Sequence, residues 1–292
     1  NAETVLVIPD MQVGYRRHRS GELEPMHDRL AIDLSIKAAQ LLRPDVIVVL
    51  GDNIDSTEFS SFDFGVDYMD TIDAALHEFH FVLEQLRLAA PAAKVVVLEG
   101  NHDYRVEKAI QRSSKSAARL RKVGEEESAV SLPALLGLKE LGVQYCGPYN
   151  TADGEFWLWP DRDCRTRFAH GSTVGQGGGA TVAKQLKKLH ASLWHGHIHR
   201  VEFAQKTLWG PKGARKVTAA SPGCLCRIDG EVPSGSAHED WQQGLGVITR
   251  VGDKVFHVVH EIVGHQVHLD GVLLTGDDYL TRLRSRHPHI GL

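Results

Sequence analysis

Five short apolar runs in this chain each stop at a tight group of glycine, carboxylate, amide or imidazole residues, and no other feature restricts the fold as strongly. Val5-Leu6-Val7-Ile8 leads to Asp10 and Gln12, and residues 46–50 lead to Gly51-Asp52 and Asp55. Residues 95–98 precede Gly100-Asn101-His102-Asp103, Arg167-Phe168-Ala169 precedes His170-Gly171, and Ser192-Leu193-Trp194 precedes Gly196-His197-Ile198-His199. Short aliphatic and β-branched runs closed by such residues read as buried strands. Strands that end at one edge of a sheet hand their next residues to one crevice. The pooled carboxylates, amide and imidazoles suit two divalent cations sharing a bridging carboxylate, an apparatus for hydrolysing a phosphate ester.

Between these runs the period changes. Residues 26–42 repeat apolar side chains at helical spacing (Leu30, Leu34, Ala38, Leu41) and stop at Arg43-Pro44, because proline cannot continue a helix and extends the residue before it. A second helix is expected over residues 68–89, closed by Pro91. Strand, helix, strand, helix, strand implies a parallel sheet. Residues 105–122 predict one helix or two short ones, and residues 133–141 a further short helix before a strand at 143–145. Trp157-Leu158-Trp159-Pro160 fits a hairpin or an edge strand, where proline is tolerated. A glycine-rich stretch at 175–179 leads into a helix at 180–189, and strands follow at 201–206, 216–220, 246–251 and 255–259, the last two joined by Gly252-Asp253. The economical fold is α/β: one domain over residues 1–292 with two packed sheets and helices outside, its motifs within about 5–225 and terminal strands and a tail after that.

Charge narrows the partners. Lys and Arg total 33 against 37 Asp and Glu, a net charge of −4, which argues against an obligate nucleic-acid coat or a strongly basic membrane binder but leaves room for a local basic groove. No apolar run approaches the roughly 20 residues of a membrane span, and no signal peptide is visible at the N-terminus. Cys146, Cys164, Cys224 and Cys226 form no Cys-x-x-Cys pair and read as small buried or semi-buried thiols in a reducing, cytoplasmic setting, with Cys224 and Cys226 spaced as on one strand face.

The motif series Asp-x-Gln, Gly-Asp-x-x-Asp, Gly-Asn-His-Asp, His-Gly and Gly-His-x-His, with Ser221-Pro222-Gly223 after a late strand, resembles the calcineurin-like metallophosphoesterase superfamily, in particular its small bacterial and bacteriophage members. The resemblance implies a β-sandwich flanked by helices, a four-layer α/β/β/α fold, with a two-metal centre at the sheet edge. It implies that Asp10 and His199 hold the first metal, that Asp52 bridges, and that Asn101, His170 and His197 hold the second. His102 would act on the phosphoryl or leaving oxygen, oriented by Asp55, and the nucleophile would be a metal-bridging hydroxide. Mn²⁺ is the favoured ion, with Fe, Ni or Zn as alternatives. One position departs from the pattern: the family has Asp-x-His where this chain has Gln12. An amide oxygen is a harder and weaker ligand than imidazole, so Gln12 is expected to ligate directly, to hold a water, or to weaken the first site, with activity retained.

The substrate leaves fainter marks. Arg105, Lys108, Arg112, Lys115 and Arg119 would make a continuous basic stripe on one helix, and Arg16-Arg17-His18-Arg19 a second cluster. The aromatic run Phe59, Phe62, Phe64 and Tyr68 offers faces on which a base could stack or pins a loop to the core. Arg16, Arg17 and Arg105 are the candidate substrate contacts. The leading expectation is a phosphodiesterase acting on a cyclic nucleotide or nucleic-acid phosphodiester, against a Ser/Thr protein or general phosphomonoesterase and a non-catalytic scaffold with a weakened metal site. His77 and His80 on one helix face, and His287-Pro288-His289 as a loose tail, carry no assignment.

Overall fold

Both faces of β1 (Ala2–Ile8) are apolar: Val5 and Val7 pack on one side, Leu6 and Ile8 on the other. A strand with two apolar faces must lie between two layers, and the architecture follows from that requirement. The structure, a computed structural model, describes residues 2–60, 65–211, 213–230 and 239–292. After β1 come a small hairpin, β2 (Tyr15–Arg17) and β3 (Leu23–Pro25), then α1 (Arg29–Leu42), β4 (Val46–Val49), α2 (Ile72–Ala89), β5 (Lys94–Leu98), α3 (Asn101–Ser113), α4 (Leu132–Leu135) and β6 (Val143–Cys146). The chain continues through β7 (Phe156–Leu158), β8 (Thr166–Ala169), α5 (Ala180–Leu186), β9 (Ser192–His195), β10 (Val201–Gly210) and β11 (Gly213–Pro222). It ends with β12 (Gln243–Val251), β13 (Lys254–Val263), β14 (Gln266–Leu269), β15 (Val272–Thr275) and α6 (Leu280–Arg286).

The larger sheet has the order β15-β14-β13-β12-β1-β4-β5-β6, and the smaller β10-β11-β9-β8-β7. β1, β4, β5 and β6 are parallel neighbours, as are β8, β9 and β11. Val5, Val7, Val48, Val96, Phe168 and Trp194 fill the space between the sheets. On the outer face of the larger sheet, Leu6, Ile8, Val49 and Val97 pack with Ile32 and Leu34 of α1 and Phe79 and Val82 of α2. Val182 and Leu186 of α5 cover Val217 and Ala219 of the smaller sheet. The result is the expected α/β fold, a two-sheet sandwich flanked by helices.

Element boundaries differ from the sequence expectations for local reasons. α1 begins at Arg29 because Asp28 caps it, accepting from the Leu30 and Ala31 amides at 3.0 and 3.1 Å. α2 begins at Ile72, after Asp70 takes a left-handed backbone (φ 55°) that no helix continues. α3 stops at Ser113, followed by Ser114 in extended conformation and a separate 3₁₀ turn at Ala117–Arg119. The basic stripe is thereby corrected: Arg105, Lys108 and Arg112 share α3, while Lys115 and Arg119 lie beyond it. Consecutive serines compete for backbone partners and favour that break. β7 is an edge strand, as the proline implied. Phe59 packs against the core, whereas Phe62 and Phe64 lie outside the described residues. Cys224 and Cys226 are not in a strand; each sits in an isolated bridge, to Gln243 and His27, and both are buried, as is Cys146, whereas Cys164 is half-buried; all four are free thiols. Among the described residues no helix is long and apolar enough to cross a membrane.

Candidate metal centre

The parallel strands of both sheets deliver their following residues to one end of the sandwich: Asp10 after β1, Asp52 after β4, Asn101 after β5, His170 after β8, His197 and His199 after β9. Backbone bonds tie these turns together. The Gln12 amide donates to the Asp52 carbonyl (2.8 Å), Val13 to Asn53 (3.0 Å) and Leu225 to Asp10 (2.7 Å). Gln12, Asp52, His197 and His199 all hold left-handed backbones, with φ of 45°, 46°, 73° and 55°. Such conformations cost non-glycine residues energy and gather where the surroundings impose them, commonly at functional sites. Gly100 and Gly196 are required by close approach: a Cβ on the first would overlap Asp52, and on the second the Asp10 carboxylate.

Two groups of side chains overlap at Asp52. Asp10, Asp52 and His199 form one; Asp52, His170 and His197 form the other, and in each the ligand atoms lie within 4.8 Å of one another. His199 Nε2 is 3.1 Å from Asp10 Oδ2, and His170 Nε2 is 3.2 Å from Asp52 Oδ2. The Asn101 side-chain oxygen joins the second group, 3.0 Å from His170 Nε2 and 2.8 Å from His197 Nδ1. His170 donates from Nδ1 to the Leu50 carbonyl (2.9 Å), which turns Nε2 inward. Gln12 is buried beside them, and among the described residues its side chain makes no hydrogen bond.

The residues fit a pair of cations. Among the described residues Asp10 Oδ1 is buried with no hydrogen-bond partner, an arrangement that costs energy unless something positive meets it. Burial disfavours charge on His170 and His199, yet Asp52 and Asp10 outweigh it and hold both imidazoles up at about 9. Burial also works against the Asp52 carboxylate, but His170 and His102 hold it far below the usual range. His197, desolvated and facing His170, is pushed down to about 4 and is neutral near pH 7, the form that ligates. The pocket therefore draws positive charge and presents oxygen and nitrogen donors, the mixed set that divalent transition metals accept.

His102 stands at the rim, one-fifth exposed, with Nε2 3.9 Å from Asp52 Oδ2. Its Nδ1 donates to Asp55 (2.7 Å), and its backbone amide donates to Asp52 Oδ1 (2.8 Å). Burial raises the Asp55 carboxyl, but His102, Thr57 and Arg105 together keep it below the usual carboxylate range. Arg105 lays its guanidinium along the His102 ring, Nη2 3.1 Å from Nε2. The other candidate substrate residues are differently engaged. Arg16 pairs with Glu24 at 2.7 Å, and Arg17 bonds to the Gly21, Met69 and Asp70 carbonyls, so both brace the β2–β3 hairpin.

Several contributors escaped the sequence reading. Asp103 accepts from the Gly100, Asn53 and Ile54 amides (2.8, 3.0 and 3.1 Å) and from the Asn53 side chain, clamping the two loops that carry Asp52 and Asn101. Burial and the Asp52 charge push it up to about 7. An acidic residue three positions after a helix-capping glycine was the available signal. Cys226 Sγ lies 3.8 Å from His199 Nδ1, and the Trp241 ring meets His199 edge-on at 4.3 Å. His195 is buried outside both groups, donating from Nδ1 to the Gly196 carbonyl (2.9 Å). Beside His170 opens a cavity of about 550 Å³ lined by Glu99, Tyr149, Arg167, Lys188 and His195.

The sequence model of one family, the calcineurin-like phosphoesterases, matches residues 4–201. No curated protein matches the chain. Among solved structures, a single mutant of Vps29 from Entamoeba histolytica is similar at 13% identity and a TM-score of 0.41, covering 93% of this chain and 99% of the other. Yfce, a phosphoesterase from E. coli, is similar at 12% identity and a TM-score of 0.36, covering 87% and 98%. A dimetal phosphatase from Danio rerio is similar at 10% identity and a TM-score of 0.37, covering 94% and 99%.

Proposed function

This chain belongs to the calcineurin-like phosphoesterase family, and from that premise we propose that it is a phosphodiesterase that uses two divalent cations to cleave nucleotide or nucleic-acid phosphodiesters. The observation that carries the reading is Asp52, the one side chain common to both ligand groups. Asp10 and His199, with Gln12 beside them, would hold one cation; Asn101, His170 and His197 would hold the other; Asp52 would bridge. When bound, such a pair polarises the phosphoryl oxygens and activates a water for in-line attack. Mn²⁺ is the proposed ion, because the donor set mixes carboxylate and amide oxygens with imidazoles.

The chain's own groups complete the chemistry. His102, held through Nδ1 by Asp55, is aimed to protonate the departing oxygen or to hold a phosphoryl oxygen through Nε2. Arg105 beside it adds a fixed cation for the developing negative charge. A diester with a base is supported by the cavity next to His170, where Tyr149 offers a ring and Lys188 a charge. Four free thiols support a reducing, cytoplasmic setting.

Rates on a chromogenic phosphodiester and monoester with added Mn²⁺, followed by cyclic mononucleotides, cyclic dinucleotides and single-stranded DNA, test the reading. The diester is expected to be the faster chromogenic substrate; a faster monoester would make the protein a phosphomonoesterase. His102→Ala should slow turnover by about 10²–10⁴-fold with metal content kept. Purified protein that binds no metal and turns over nothing would be a scaffold.

A further inference from the structure

We propose that His77, His287 and His289 form a second, peripheral binding site for a nitrogen-preferring divalent cation such as Zn²⁺, which fastens the segment after α6 to helix α2. One ring nitrogen from each of the three comes within 4.8 Å of the others. His77 comes from the outer face of α2, while His287 and His289 come from residues more than 200 positions later. His77 Nε2 and His289 Nε2 are 3.4 Å apart, which matches the spacing of about 3.3 Å that two imidazoles take on a tetrahedral zinc with bonds near 2.0–2.1 Å. The three rings contact one another pairwise, with centroids 4.7, 5.1 and 6.1 Å apart.

A second observation points to a ligand. Among the described residues His287 Nε2 is buried with no hydrogen-bond partner, and an orphaned ring nitrogen beside two other imidazoles is costly as mere packing. Burial lowers both His77 and His287 and the neighbouring imidazoles add to it, against the opposing Asp73 and Glu84 carboxylates, which favours in these two rings the neutral form that ligates. The surroundings are already braced. Arg286 of α6 bonds Glu84 of α2 at 3.0 Å, and His80 donates from Nδ1 to the Leu136 carbonyl (2.8 Å). Asp73 Oδ1, 3.8 Å from His77 Nε2, is a carboxylate on the same helix that could complete four-coordination. None of these residues comes from the strand ends that build the other centre, so the site stands whether or not that centre binds two ions.

The test compares tag-free wild type with a His77→Gln, His289→Gln double variant. After equilibration with Zn²⁺ and removal of free ion, wild type should hold one more equivalent than the variant, whatever the total, with phosphoesterase rates equal. Amide exchange over residues 280–292 should slow in wild type, by about 100-fold at free zinc 100 times the dissociation constant, and stay unchanged in the variant. Equal zinc content in the two proteins, or exchange indifferent to zinc, overturns the proposal.

Discussion

Gln12 is the residue on which the strength of the first cation position turns. Its left-handed backbone (φ 45°) and its amide bond to Asp52 place it in the loop beside Asp10. The Asp10 and Asp52 carboxylates and the His199 imidazole form their group without it, so a change at position 12 alters one candidate donor and little else. Gln12→His supplies an imidazole, a better ligand than an amide oxygen for borderline metals. The Mn²⁺ concentration giving half-maximal activity should fall about tenfold, the low end of what a supporting partner in a metal site is worth, while the rate at saturating metal changes less. A metal titration of activity with an unmoved midpoint would show that Gln12 faces away from the cation. At this scale the sequence was informative where a ligand follows an apolar run, as with Asp52 or His197. It was silent on Asp103, whose work is to collect backbone amides from a neighbouring loop. Its place three residues after Gly100 marks the start of a helix, but that pattern does not tell that amides of a second loop converge on the carboxylate.

Helix α2 shows the same limit at the scale of an element. Its periodicity marks an amphipathic helix, yet Glu78 lies on the inward face and is fully buried. It accepts from Arg29 at 2.8 and 2.9 Å, pairs with His27 at 2.7 Å, and accepts a hydrogen bond from the Tyr15 hydroxyl. Those partners come from β2, the start of α1 and the turn between, so one carboxylate ties the hairpin next to Asp55 to the helical layer. Burial alone would raise Glu78, but His27 and Arg29 outweigh it and hold it well below the usual carboxylate range. Its contribution to stability is therefore present above the ordinary carboxylate range and is lost as pH falls through that range towards the lower folded value. Glu78→Gln leaves Arg29 buried without its counter-charge and should cost about 3–5 kcal/mol, read as a lower urea midpoint at unchanged slope. A loss below about 1 kcal/mol, the worth of an exposed pair, would mean that water reaches Arg29. The broken basic stripe belongs here too: charge spacing suggested one stripe along a helix, the segment itself read as one helix or two short ones, and the chain breaks at Ser113-Ser114.

Over the whole molecule, the strand–helix alternation of the first hundred residues and the edge position of β7 were readable, because period and proline act locally. The sheet to which each later strand belongs was not, since pairing such as β12 against β1 joins residues about 240 positions apart. β14 and β15 were missed although Asp270-Gly271 joins them as a two-residue turn with both backbones left-handed, a hairpin signal in its own right. What unites the two sheets is mostly apolar, and a polar latch adds to it: Trp194 of β9 donates its indole N–H to His257 Nδ1 of β13 at 3.0 Å. Desolvation pushes His257 down to about 4. Above pH 6.5 the ring is neutral in folded and unfolded chains alike, and the latch is intact. Between pH 6.5 and 4 the unfolded chain takes up the proton first, so stability falls with pH, by at most about 1.4 kcal/mol per pH unit for one proton and by less where the half-buried ring meets water. Below that window both states are protonated and the loss stops. His257→Asn places an amide oxygen the same number of bonds from the backbone, keeps an acceptor for the indole and cannot titrate. Its urea stability should fall less steeply than wild type from pH 6.5 to 4 and run parallel to it from pH 7 to 8. Parallel profiles across the acid window as well would assign the acid sensitivity to other groups and leave the latch without a role in it.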